Sequence, residues 1–226
     1  QLNNNQRFPA GSYLPIGLPV IGEWTVTQGH SGEHTHRDGW RHAWDFEITD
    51  DNGLSRQGRG DFAADYYCYG KPVVAPADGW IEEVLDNVAD NEIGQLNLEH
   101  NWGNTLVIRH TDRLYSKLCH LKQGSIKVEK GASIKKGEIL ALCGNSGRSP
   151  VPHLHFQVQQ TPFIGSFTID YPFSQYLLKK KDRYELFSYA KPDKGDKILT
   201  LPQNNCLKKA FNFKPGQKIE FSVVID

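Results

Sequence analysis

The chain has 226 residues, room for one generous domain or for a domain of ~150 residues with a small appendage. Lysines and arginines number 26, and so do aspartates and glutamates, so no nucleic-acid surface and no anionic membrane surface is expected as a partner. No run approaches 18 apolar residues, which excludes a transmembrane helix. The first residue is Gln1 and methionine is absent, so the chain is expected to be a processed or truncated piece; its lack of a visible leader says nothing about export.

Residues 1–22 are rich in Gly and Pro and read as loop. A strand begins at Trp24, and "AWDFEI" (43–48) alternates: Trp44, Phe46 and Ile48 share one face, Ala43, Asp45 and Glu47 the other. Residues 49–70 form a long polar, then aromatic loop, with Tyr66, Tyr67 and Tyr69 expected to pack it. Short strands follow in "PVVAPADGWIEEVL", with an Asp78-Gly79 hairpin signal, then in "GNTLVIRH", "LYSKLCHL", "GEILALCG" and "HLHFQVQ". "DYPFSQYLLKK" (170–180) reads as a short helix, and "DKILTL" and "QKIEFSVVI" as a last set of strands. The expected fold is mainly β: an antiparallel sheet or partly open barrel. The expected division is an N-terminal extension (1–23), a core domain (24–165) and a C-terminal β module (166–226). None of the four cysteines forms a CxxC pair. Cys119 and Cys143 sit in apolar runs and read as buried thiols, with a bridge between them left open.

Nine histidines invite a metal reading. A catalytic zinc site takes three protein ligands, commonly imidazoles and a carboxylate, and leaves one position for water or substrate. If Trp44 and Phe46 face the core, Asp45 faces a cleft. His42 has the wrong parity to join Asp45 within one strand. His36 lies before the Asp38-Gly39 turn signal, so a chain reversal can return it over Asp45; it is preferred, with His34 and His42 in reserve. His153 and His155 share a strand face with Cβ atoms ~7 Å apart. One of them can ligate while the other stands beside the metal's water. His30, His34 and His42 are otherwise expected to be loop or supporting residues.

Several strings together resemble the LytM/lysostaphin-type zinc metallopeptidases, peptidase family M23. "GNSGRSPVPHLHFQV" is similar to that family's terminal motif, in which a Gly-Asn-Thr-Gly run precedes Pro-His-Leu-His-Phe. "KPVVAPADGWIEEV", "GNTLVIRH" and "KLCHLKQGSIKVEKGASIKKGEILALCGNSG" resemble its other segments, in the expected order, over about residues 24–160. The resemblance implies that Asp45 and His155 bind Zn2+ and that His120 and His153 are catalytic. The family's commonest first ligand precedes the aspartate by four positions, where this chain has Arg41; a variant with a nine-residue spacing falls on His36. "RSPVP" also departs from the usual Ser-Thr-Gly-Pro turn. The implied activity is hydrolysis of stem or cross-bridge peptides of bacterial peptidoglycan outside the cytoplasm, in the periplasm, the envelope or the medium. The C-terminal module would be free to bind wall or a protein partner. The alternative is a catalytically silent relative that binds wall or activates another hydrolase.

Overall fold

The computed structural model describes residues 13–201 apart from Asp182. Its strands are β1 (Glu23–Gln28), β2 (Ala43–Glu47), β3 (Pro72–Val74), β4 (Gly79–Leu85), β5 (Asn104–Thr111) and β6 (Leu114–Leu121). They continue with β7 (Ser133–Ile134), β8 (Ile139–Leu142), β9 (Leu154–Gln159), β10 (Phe173–Lys179), β11 (Tyr184–Ala190) and β12 (Lys197–Leu199). Ten of them form one open sheet in the order β11-β10-β12-β1-β2-β9-β6-β5-β4-β7, and β3 pairs with β8 apart from it. Every pairing is antiparallel, and the fold is mainly β without a closed barrel. No helix among the described residues is long and apolar enough to cross a membrane.

Alternation in the central strands decides which face is core. Trp44 opposes Phe156 and Phe46 opposes Leu154 across β2–β9, and Leu118 opposes Phe156 across β9–β6. All five are buried together with Trp24, Val26, Leu106 and Ile108. Each such side chain contributes about 1.5–3 kcal/mol on burial. The residues between them are thereby turned to the opposite face, where Asp45, His155 and Gln157 lie.

Two local expectations are corrected. Residues 170–180 hold strand β10, not a helix: despite the helix-favouring Leu-Leu-Lys-Lys, Phe173–Lys179 pairs with β11 on one side and β12 on the other. Tertiary pairing overrides propensity here. Asp78-Gly79 does not close a hairpin. The strand before it, β3, joins β8, while β4 pairs with β5 and β7. Residues 13–22 are loop-like, yet Ile16, Leu18 and Val20 are buried in the core.

Strands β10–β12 of the 166–226 segment attach to the main sheet through the β12–β1 pairing. The strand expected over 217–225, and Cys206, lie outside the described residues. Cys68, Cys119 and Cys143 are buried free thiols.

Candidate metal centre

The cleft face of β2 and β9 brings two candidate ligands together by register alone. Asp45 and His155 are directly paired, and His155 Nδ1 lies 2.9 Å from Asp45 Oδ1. His36 arrives from the β1–β2 connection, where Asp38–Trp40 makes a short 3-10 turn with Asp38 at a φ of 49°. Its Nε2 is 3.2 Å from Asp45 Oδ1 and 3.3 Å from His155 Nδ1. Ligand atoms around a tetrahedral zinc, at about 2.0–2.2 Å from the ion, sit about 3.3–3.6 Å apart, so this trio is close to ion-ready spacing.

The outward hydrogen bonds determine what the inward atoms can do. His36 Nδ1–H donates to the Gly29 carbonyl (2.8 Å), so its Nε2 carries the lone pair when the ring is neutral. The tautomer of His155 is fixed by a chain of amides along β9. Gln159 Nε2 donates to the carbonyls of Thr161 and Phe163, which fixes its amide and leaves Oε1 to accept from Gln157 Nε2 at 2.8 Å. Gln157 Oε1 must then face His155 Nε2 (3.0 Å), which carries the hydrogen. The lone pair of His155 is therefore on Nδ1, aimed at Asp45. Gln28 does the same for the carboxylate. Its Oε1 accepts from the backbone of His34 and Thr35, and its Nε2 donates to Asp45 Oδ2 at 2.7 Å. Oδ1 is left for the trio.

Three acceptors thus converge, a donor set that suits a cation. Burial disfavours a charged His36, but its contacts with Asp45 prevail and raise its pKa. Burial also opposes ionisation of Asp45, yet its contacts with His155 and His36 hold the carboxyl well below the usual range. The His155 ring is lowered by burial, against the pull of Asp45. A proton on His36 Nε2 bridges part of the trio but leaves His155 Nδ1 facing Asp45 Oδ1. A divalent ion suits all three atoms, and the residues present fit zinc.

His120 and His153 lie beside this trio, with ring centroids 4.7 Å apart. His153 precedes β9; its Nδ1–H donates to the Val151 carbonyl, and its Nε2 is 3.9 Å from Asp45 Oδ1. Strand parity would send His120 into the core alongside Leu118. A bulge intervenes: Leu106 opposes Leu118 while Asn104 opposes Leu121, and His120 has a φ of 60°. The extra residue turns its ring to the cleft, a left-handed conformation of the kind that collects at functional sites. His120 Nδ1–H donates to the Ser146 carbonyl at 2.8 Å. The loop carrying that carbonyl packs backbone against backbone: a Cβ on Gly147, which has a φ of 81°, would lie 2.3 Å from Gly103 N. Burial, then the nearby His153 and His155, depress the His120 pKa well below its ordinary value.

The cleft is about 590 Å³, and its walls include Trp40, Trp102, Leu96 and Arg148. Trp102 stands over His155 at 5.5 Å, and the ammonium of buried Lys117 lies 3.1 Å from its ring centre. The reserves His34 and His42 stay outside the trio. His34 is exposed on the cleft wall, and His42 turns to His30. Sequence reading missed Gln28, Gln157 and Gln159. The signal for two of them was present: polar residues at i+2 and i+4 from His155 in an otherwise apolar strand.

Residues 60–164 match the model of Peptidase family M23. That stretch holds His120, His153 and His155; His36 and Asp45 precede it. An uncharacterized metalloprotease of Haemophilus influenzae is 35% identical over 88 residues, 39% of this chain and 16% of the relative. The peptidoglycan DD-endopeptidase ShyB of Vibrio cholerae is 45% identical over 56 residues, 25% of this chain and 13% of the relative. The chain thus aligns with less than a fifth of the length of either. The catalytic domain of lysostaphin from Staphylococcus simulans is similar in structure over 66% of this chain and 88% of that one, with a TM-score of 0.41 at 23% identity.

Proposed function

We propose that this chain, which carries a peptidase family M23 segment over residues 60–164, is a zinc-dependent endopeptidase acting on the peptides of bacterial peptidoglycan outside the cytoplasm. The single observation that carries the reading is the convergence of three lone pairs, from His36 Nε2, Asp45 Oδ1 and His155 Nδ1, on one point of an open cleft lined by two further histidines. The relative named as a peptidoglycan DD-endopeptidase supports the substrate class, and the one named as a metalloprotease supports the metal.

In this reading His36, Asp45 and His155 hold the ion. When bound, zinc supplies Lewis-acid chemistry, polarising a peptide carbonyl and making water nucleophilic near neutral pH. The chain supplies the rest. His120 and His153 each anchor Nδ1–H on a backbone carbonyl, which leaves Nε2 of each as the proton-handling atom towards the cleft. One takes the proton of the attacking water. The other, protonated, donates to the oxygen or the amine that gathers charge as the peptide bond breaks. Their backbone anchors fix both rings before substrate arrives. Trp40 and Trp102 wall the groove in which an extended peptide would lie.

The test is digestion of purified peptidoglycan with the zinc-loaded chain, read by mass spectrometry of the released fragments. New amino termini within stem or bridge peptides are expected, with His120→Ala and His153→Ala slower by about 10²–10⁴-fold. Intact peptides throughout, under conditions where the chain is folded and zinc-loaded, would refute the assignment.

A further inference from the structure

A second group of potential ligands lies away from the cleft trio. His30 follows β1 by two residues, His42 immediately precedes β2, and Asp170 lies three residues before β10. Each offers one ligand atom within 4.8 Å of those of the other two. The rings of His30 and His42 meet edge to face at 5.1 Å, and His30 Nδ1 is 3.8 Å from Asp170 Oδ1.

Two features set this group apart from an ordinary surface network. First, His30 Nε2 and His42 Nδ1 are buried and have no hydrogen-bond partner. A buried polar atom without a partner costs about 1–3 kcal/mol, so the packing here leaves donor capacity unused. Second, hydrogen bonds outside the trio's side chains hold the His42 and Asp170 segments together. Thr168 N donates to the Gly39 carbonyl (2.8 Å), and His42 N donates to Thr168 Oγ1 (3.0 Å), which stitches the approach to β10 onto the approach to β2. Burial also keeps both rings neutral, as ligation requires: His30 is lowered to about 3 and His42 is lowered as well.

We propose that His30, His42 and Asp170 form a second divalent-cation site of zinc type, structural in role, that clamps the segment carrying His36 to the start of β10. The residue beside His30 is Gly29, whose carbonyl orients the His36 ring. Fixing His30 therefore steadies the first ligand of the cleft. This site is looser than the cleft trio: His30 Nδ1 and Asp170 Oδ1 are 3.8 Å apart, against 2.9–3.3 Å between the cleft atoms. Lys191 Nζ also holds both oxygens of Asp170 at 2.9 Å. A carboxylate has lone pairs for both partners, but the ammonium competes with the ion. The second equivalent binds more weakly than the first.

Zinc titration of the full chain by calorimetry tests this. Two equivalents are expected for the unmodified chain, and one for His42→Phe and for Asp170→Asn. Lys191→Met should keep two and tighten the weaker one about two- to five-fold, an effect that a purely structural Asp170–Lys191 pair would not produce. His155→Ala should lose the tighter equivalent and keep the weaker, which separates this site from the cleft. One equivalent in the unmodified chain, or a weaker equivalent that survives both His42→Phe and Asp170→Asn, overturns the proposal. Should those two variants fail to fold, the Lys191→Met affinity decides: unchanged binding of the weaker equivalent overturns it, tightening supports it.

Discussion

Asp45 and His155 are facing residues of one antiparallel ladder, and the sheet itself sets His155 Nδ1 2.9 Å from Asp45 Oδ1. Two of the three proposed ligands are thus positioned by the same register that buries Trp44 against Phe156. Core and site cannot be shifted independently, because a one-residue slip would send both ligands into the apolar face. The carboxylate's charge is the part that substitution can remove without disturbing this register. Asp45→Asn is therefore expected to fold and to bind zinc in the cleft more than about 100-fold more weakly, a larger loss than removing a supporting partner causes. Competition with a chromophoric chelator measures it.

The Gln157–Gln159 relay gives a second prediction. Gln157→Leu deletes the acceptor that keeps the hydrogen on His155 Nε2. Zinc affinity should fall about 10–100-fold, as for other partners of metal-bound histidines. Gln157→Glu, which in its protonated form keeps an acceptor toward His155 Nε2 and a donor toward Gln159 Oε1, should recover most of it. Equal loss in both variants would mean that packing, not tautomer control, is what Gln157 contributes.

Much of this was legible in the chain. The alternation of "AWDFEI" and of "HLHFQVQ" assigned Asp45 and the 153/155 pair to a cleft face. The Asp38-Gly39 turn allowed His36 to return over Asp45, where the structure places it. Other features were not legible, for physical reasons. The bulge that turns His120 to the cleft depends on a register difference between β5 and β6, which local sequence does not encode. β10 is a strand because β11 and β12 flank it, although Leu177, Leu178 and Lys179 favour helix. Gln28 acts through a contact with Asp45 seventeen positions away, beyond any local pattern.

Protons and zinc compete for His36, and the sign follows from its raised pKa. In the chelator-treated chain, the stabilisation from charged His36 is fully present below its unfolded value of about 6.5 and is lost as pH rises through the higher folded value. Zinc requires the neutral ring, so its affinity should climb over that same range and level off above it. Thermal melts with chelator and with excess zinc, taken from pH 5 to pH 9, should diverge as pH rises. Parallel curves would contradict the assignment of His36.

Buried Lys117 gives a prediction apart from the ion. Burial pushes its ammonium down to about 8. The unfolded chain, with an ordinary value of about 10.4, then holds the proton more tightly than the folded one. Stability should rise with pH between about 8 and about 10.4 relative to Lys117→Met, in which this contribution is absent. Denaturant melts of both chains across that range measure the difference; a constant gap would show that the ammonium titrates as if exposed.

The central claim is that His36 Nε2, Asp45 Oδ1 and His155 Nδ1 grip one zinc ion. The most direct measurement is anomalous diffraction at the zinc edge from crystals of the zinc-treated chain. The account predicts a peak about 2.0–2.2 Å from all three atoms. Crystals that show zinc elsewhere on the chain, with no peak between these three side chains, would contradict it.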